Sequence, residues 1–197
     1  LVSPDQYHIL KCVHDLRQLG YKMNKEKFKS IEKLALLKDI WKKFADDRKG
    51  LELIMYICLG FEIYEPQIWN GVLKQMIAMS MTQQLSSLVL VLSTRRELLH
   101  IPALVSAWTE VIKTPFKHCT KARSFEQEVQ LSKTLILLQS CPLSNRLDYI
   151  DLTDMCLRLN RPHIAAIFTV YAETKQTAKI IQLLKPYMND SVKSAVS

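Results

Sequence analysis

Residues 50–64 read GLELIMYICLGFEIY, and their spacing decides the fold. Leu51, Leu53, Ile54, Met55, Ile57, Cys58, Leu59 and Phe61 fall around most of the circumference of a helix instead of along one stripe. A helix that is apolar on several sides has to be enclosed on several sides. The segment therefore reads as an inner helix of an all-α protein.

On both sides of it the apolar residues keep a helical period but make single stripes. Examples are Ile31, Leu34, Leu37, Trp41 and Phe44 before it, and Leu104, Val105, Trp108, Val111 and Ile112 after it. Similar stripes run through Ile68–Ile77, Leu152–Leu159 and Ile164–Tyr171, and no segment alternates convincingly with period two. Helices are expected over 4–19, 31–45, 50–64, 66–80, 82–93, 102–113, 124–140, 148–159, 162–173 and 175–185.

Proline placement supports these limits. Pro4, Pro66, Pro102 and Pro162 each stand directly before a helical run, at the first position, where the missing N–H does no harm. Pro115, Pro142 and Pro186 read as stops or loop residues. Ser30, Thr82, Ser124 and Thr174 precede four of the runs as candidate caps. Ser124 with Gln127 has the spacing of a capping box.

Ten short helices with brief connections build either a bundle or a stack of antiparallel hairpins. A single core of that size would need several helices like 50–64, whereas most here have one apolar stripe and one charged face. The expected fold is thus an irregular α-solenoid over residues 1–188, cut from a larger protein, followed by a flexible tail at 189–197. No TPR, ankyrin or HEAT consensus recurs. Gly60 and Gly71, inside expected helices, fit places where two helices approach closely.

Composition narrows the class. Hydrophobic residues make up 48% and charged residues 23%, with four glycines and seven prolines, as in an ordered chain with few turns. The longest strictly apolar runs, 88–92 and 135–138, are far short of the roughly 20 residues that cross a bilayer, so no membrane insertion is expected. No signal peptide is recognisable at Leu1. Cys12, Cys58, Cys119, Cys141 and Cys156 form no CxxC pair and sit mostly among apolar neighbours, which suits a reduced cytosolic or nuclear protein.

Catalytic signatures are lacking: there is no phosphate loop, GxGxxG, HExxH, EF-hand or nucleophile elbow. Five features carry local chemistry or packing information. His8 and Cys12, four apart, share a helix face, but a zinc site needs two further ligands. His118 and Cys119 lie between Lys117 and Lys121, a setting that lowers a thiol pKa. Asp148, Asp151 and Asp154 line the first turns of a helix, where negative charge is favourable through the dipole. Trp41, Trp69 and Trp108 all fall on apolar stripes and read as core. The methionines Met76, Met79 and Met81 suit a core or an adaptable interface equally. The expected protein is non-catalytic, with no cofactor and no metal.

Charge is the strongest remaining signal. The net charge is +8, and residues 11–49 alone hold twelve Lys/Arg against six Asp/Glu. Lys25, Lys29, Lys33, Lys38, Lys42 and Lys43 make a candidate basic docking face for an acidic protein surface. The bland alternative is a solvated helix face. Nucleic acid fits less well, because Glu26, Glu32 and Asp39 interrupt the run, arginine is nearly absent from it and few aromatics are placed for base stacking.

The run from Ile40 to Met76, IWKKFADDRKGLELIMYICLGFEIYEPQIWNGVLKQM, together with LTDMCLRLNRPHIAAIF at 152–168, resembles the C-terminal region of the Rod (rough deal) family. The likeness is continuous and involves no short diagnostic motif. It implies the far end of a long α-solenoid in a scaffold subunit of a kinetochore corona complex. On that resemblance the partners would be the Zwilch and Zeste-white-ten subunits, with Spindly and dynein/dynactin recruited. The role would lie in the spindle assembly checkpoint, at the kinetochore, spindle and cytoplasm. Self-association is also compatible with it. The competing reading is a subunit of a vesicle-tethering complex at the endoplasmic reticulum.

Overall fold

The computed structural model describes residues 4–122 and 124–193. Among these residues it is all-α and repeat-like, with eleven α-helices and no strand. They are α1 (Pro4–Gln18), α2 (Lys25–Ser30), α3 (Lys33–Phe44), α4 (Arg48–Gly60), α5 (Pro66–Ala78), α6 (Thr82–Leu92), α7 (Pro102–Lys117), α8 (Phe125–Ser140), α9 (Tyr149–Arg158), α10 (Pro162–Tyr171) and α11 (Thr174–Lys193). Single 3-10 turns occupy Arg96–Leu98 and Ser144–Arg146. No described helix is long and apolar enough to cross a membrane.

The chain divides into two compact units. The first consists of Leu1–Met81 with Arg95–Leu104, and α4 is its inner helix. Gly50, Leu51, Leu53, Ile54, Ile57 and Cys58 of α4 are buried, and α1, α3 and α5 all pack on it. Helix α1 approaches closely at Gly60, where an added Cβ would lie 1.9 Å from His8 Nε2. The His8 ring stacks on Tyr56 at 4.3 Å and meets Phe61 edge-on at 5.5 Å.

The second unit consists of Thr82–Thr94 with the chain from Val105 onward. Leu85, Leu88, Val89 and Leu92 of α6 are buried, and Trp108 of α7 donates its indole N–H to Ser93 Oγ at 2.9 Å. Helices α9, α10 and α11 pack on one another around Tyr149 and Phe168, whose rings lie 5.9 Å apart. Gln176 of α11 ties down the start of α9, accepting from Tyr149 N at 2.9 Å and donating to Leu147 O at 3.1 Å.

One turn recurs four times. After α1, α4, α5 and α9 the second residue past the helix has positive φ: Gly20 (87°), Glu62 (52°), Ser80 (54°) and Asn160 (58°). At each, the following residue donates back five positions: Tyr21 to Leu16 O, Ile63 to Cys58 O, Met81 to Met76 O and Arg161 to Cys156 O, at 2.8–3.0 Å. This is the Schellman stop, which satisfies the last helix carbonyls while reversing the chain.

Several expectations need correction. Helix α2 appears where none was expected: its six residues carry one apolar anchor, Phe28, too few to show a period. Pro115 lies inside α7 and Pro186 inside α11, so neither is a stop. Proline disfavours a helix interior by about 3 kcal/mol, a preference that packing overrides. In α7 the effect falls on the last turn, and in α11 Ile180 and Leu184 just before Pro186 are buried. Ser30 closes α2 by donating to Lys27 O and does not cap α3. Ser124 accepts from Gln127 N as expected, but the Gln127 amide turns to Thr120 instead of completing the box. The helical backbone of α11 runs to Lys193, and the end of the expected tail, 194–197, lies outside the described residues.

Candidate docking surface

The six lysines separate by what their ammonium groups already hold. Lys33, the first residue of α3, donates to Phe28 O at 2.7 Å and to Ile31 O at 2.8 Å, closing the end of α2. It also lies over the Phe28 and Phe61 rings, and burial pushes its pKa down. Lys43 pairs with Asp39 at 2.8 Å and covers the Tyr21 ring. Asp39 also accepts from Tyr21 Oη at 2.8 Å, and hydrogen bonds from Lys43 and Tyr21 hold its carboxyl below the usual range. These two lysines serve the fold.

Lys25, Lys29, Lys38 and Lys42 have no ion-pair partner among the described residues. Lys25 and Lys29 lie on α2, while Lys38 and Lys42 lie one turn apart on α3. A charged side chain left in water contributes little to stability.

Lys38 also borders a cleft of about 420 Å³, lined by Leu37 and Trp41 of α3, Ile54 of α4, and Gln67, Ile68, Asn70, Gly71 and Lys74 of α5. Trp41 departs from expectation here. Trp69 and Trp108 are fully buried and donate their indole N–H groups to Ile63 O and Ser93 Oγ. Trp41 is half-buried, and its N–H has no acceptor among the described residues. Gly71 is the reason the ring can lie against α5, since a Cβ there would stand 3.1 Å from Trp41 Cη2. A periodic stripe cannot distinguish a ring inside the core from one at its lip.

The other candidates resolve into structural roles. His8 Nε2 lies 3.7 Å from Cys12 Sγ, but the ring is packed against Gly60, Tyr56 and Phe61, and burial pushes the thiol up to about 12. Cys119 is half-buried, and desolvation raises its pKa, against the lowering that its lysine neighbours suggested. Burial also pushes Cys58 and Cys156 up to about 12 and Cys141 to about 11, so none of these five is an activated thiolate. Asp148 caps α9 through Ile150 N and Asp151 N; Asp151 pairs with Lys113, and Asp154 with Arg158 at 2.5 Å. Met76 and Met81 are core, and Met79 is half-buried.

Arg161 was not visible as special from sequence, where it was only the residue before Pro162. It is fully buried. Its Nε lies 2.6 Å from Glu128 Oε1, in a mainly electrostatic contact, and its other nitrogens donate to Leu159 O at 2.8 Å and Ala122 O at 3.0 Å, with longer bonds to Lys121 O and Asn160 O. It fastens the loop before α8 to the turn between α9 and α10.

A family model described as the Rough deal protein C-terminal region matches residues 2–197. The chain is 28% identical over 159 residues to "Kinetochore-associated protein 1" of Homo sapiens, covering 79% of this chain and 7% of that protein. To the protein of the same name in Mus musculus it is 25% identical over 183 residues, covering 91% of this chain and 8% of the relative. It therefore corresponds to a small part of the length of these relatives.

Proposed function

Because the chain belongs to the family of Rough deal protein C-terminal regions, we propose that it is a non-catalytic scaffold segment of a kinetochore complex. The observation that carries this reading is the family match along residues 2–197, joined by relatives whose names place them at the kinetochore. The finer reading is a subunit that docks Zwilch and Zeste-white-ten, recruits dynein/dynactin through Spindly, and serves the spindle assembly checkpoint.

Physically, the helical hairpins bury one face each and leave their outer faces for partners. Lys25, Lys29, Lys38 and Lys42, which the fold does not use, are the docking face proposed for an acidic protein surface. Lys33 and Lys43 are already engaged within the fold.

Two measurements test this. Residues 1–197 as bait in mitotic extract should retain the Zwilch and Zeste-white-ten subunits, and reversing Lys25, Lys29, Lys38 and Lys42 to Glu should weaken that retention. Depletion of the parent protein should abolish checkpoint arrest. A Golgi-to-ER transport defect with arrest intact would replace the kinetochore reading with the tethering one.

A further inference from the structure

We propose that the cleft between α3 and α5 is a docking site for an acidic segment of another protein that carries a large apolar side chain between its carboxylates. The proposal does not depend on the kinetochore reading. It uses one member of the sequence-derived lysine set, Lys38, together with Lys74, which was not in that set.

The cleft floor is apolar: Leu37 and Ile54 are 2% and 1% exposed, while Trp41 and Ile68 stand half-buried above them. Among the described residues its rim carries two cations, Lys38 and Lys74, and no anion. Neither Lys38 nor Lys74 has an ion-pair partner among the described residues, and both are exposed. The Trp41 indole N–H, which has no acceptor among the described residues, adds one unused donor.

A second cleft, about 360 Å³ between α1 and α4, supplies the control. It holds Lys11, Lys49, Asp15 and Glu52, and Lys11 is already paired with Asp15 at 3.0 Å while lying over the Tyr56 ring. That cleft carries both signs and answers its own charge; the α3–α5 cleft does not.

A complementary occupant has three features. An apolar group displaces water from Trp41, Ile54 and Ile68; carboxylates meet Lys38 and Lys74; and an oxygen accepts from Trp41 Nε1. A second copy of this chain, itself at +8, is a poor match in charge. Duplex nucleic acid supplies phosphate but keeps its aromatic bases stacked inside the helix, away from an apolar floor, so it forms the competing arm of the test.

A random-peptide phage library is selected on the 197-residue chain, and the recovered peptides are synthesised and titrated while the three indole N–H signals are followed by NMR, with Trp41 assigned through Trp41→Phe. The selected sequences should be rich in Asp and Glu around a Trp, Phe or Leu, and should shift the Trp41 signal while leaving those of Trp69 and Trp108 in place. Lys38→Glu with Lys74→Glu should weaken them by about tenfold or more. Unmoved Trp69 and Trp108 signals in that variant certify its fold. Peptides without acidic enrichment, peptides that leave the Trp41 signal unmoved, a library that yields no binder, or a DNA duplex that moves the Trp41 signal when the peptides do not would each overturn the proposal.

Discussion

The two units treat a buried or bordering cation in opposite ways. In the second, Arg161 is wholly enclosed and its nitrogens face a carboxylate and four carbonyl oxygens. In the first, Lys38 and Lys74 stand at the lip of an apolar cleft with no ion-pair partner among the described residues. A saturated charge marks a place where the fold closes on itself, because removing it leaves several oxygens desolvated and unpaired. An unsaturated one beside exposed apolar surface leaves the fold nearly indifferent to it.

The largest expected effect breaks that contrast at its stronger end. Arg161→Ala should lower the unfolding free energy by about 3–5 kcal/mol, whereas Lys38→Ala with Lys74→Ala should change it by less than about 0.5 kcal/mol. Urea denaturation followed by circular dichroism measures both. Equal losses would erase the distinction between the two kinds of charge.

Next in size is Gly60→Ala. It asks whether the first unit is tightly packed away from its cleft, so that the cleft is a local opening and not loose packing. The added methyl would overlap the His8 ring, and overpacking of this kind costs about 1–3 kcal/mol. Thermal melts should show the loss, and His8→Ala in the same chain should recover part of it by removing the obstacle.

The smallest effect compares the turn the two units share. Glu62 and Asn160 hold the same left-handed position after α4 and α9. Glycine should relieve about 1 kcal/mol at Glu62 and less at Asn160, whose side chain tolerates that conformation. Denaturation midpoints of Glu62→Gly and Asn160→Gly test the ordering.

Much of the fold was legible because its signals are local. The ring of apolar residues through 50–64 marked α4 as the enclosed helix, and Pro4, Pro66, Pro102 and Pro162 each opened the helix they announced. What stayed hidden depended on distant partners. Arg161 became a core residue through carbonyls some forty positions earlier, at Lys121 and Ala122. Lys74 joined the cleft through α3, and Trp41 was lifted to the surface by the place its stripe takes against Gly71. Lys33 looked like one more surface lysine until the end of α2 lay beneath it. The lysine cluster was visible in the sequence, but which of its charges were already spent was not.

The repeated helix stop also has a kinetic consequence. Each reversal after α1, α4, α5 and α9 is set within six consecutive residues, so its backbone bonds need no partner from later in the chain. Loops this short close quickly, and contacts between sequence neighbours favour fast folding. A nascent chain leaving the ribosome can thus set each of these reversals before the later helices are synthesised, while full cover of the apolar stripe of α4 waits for α5.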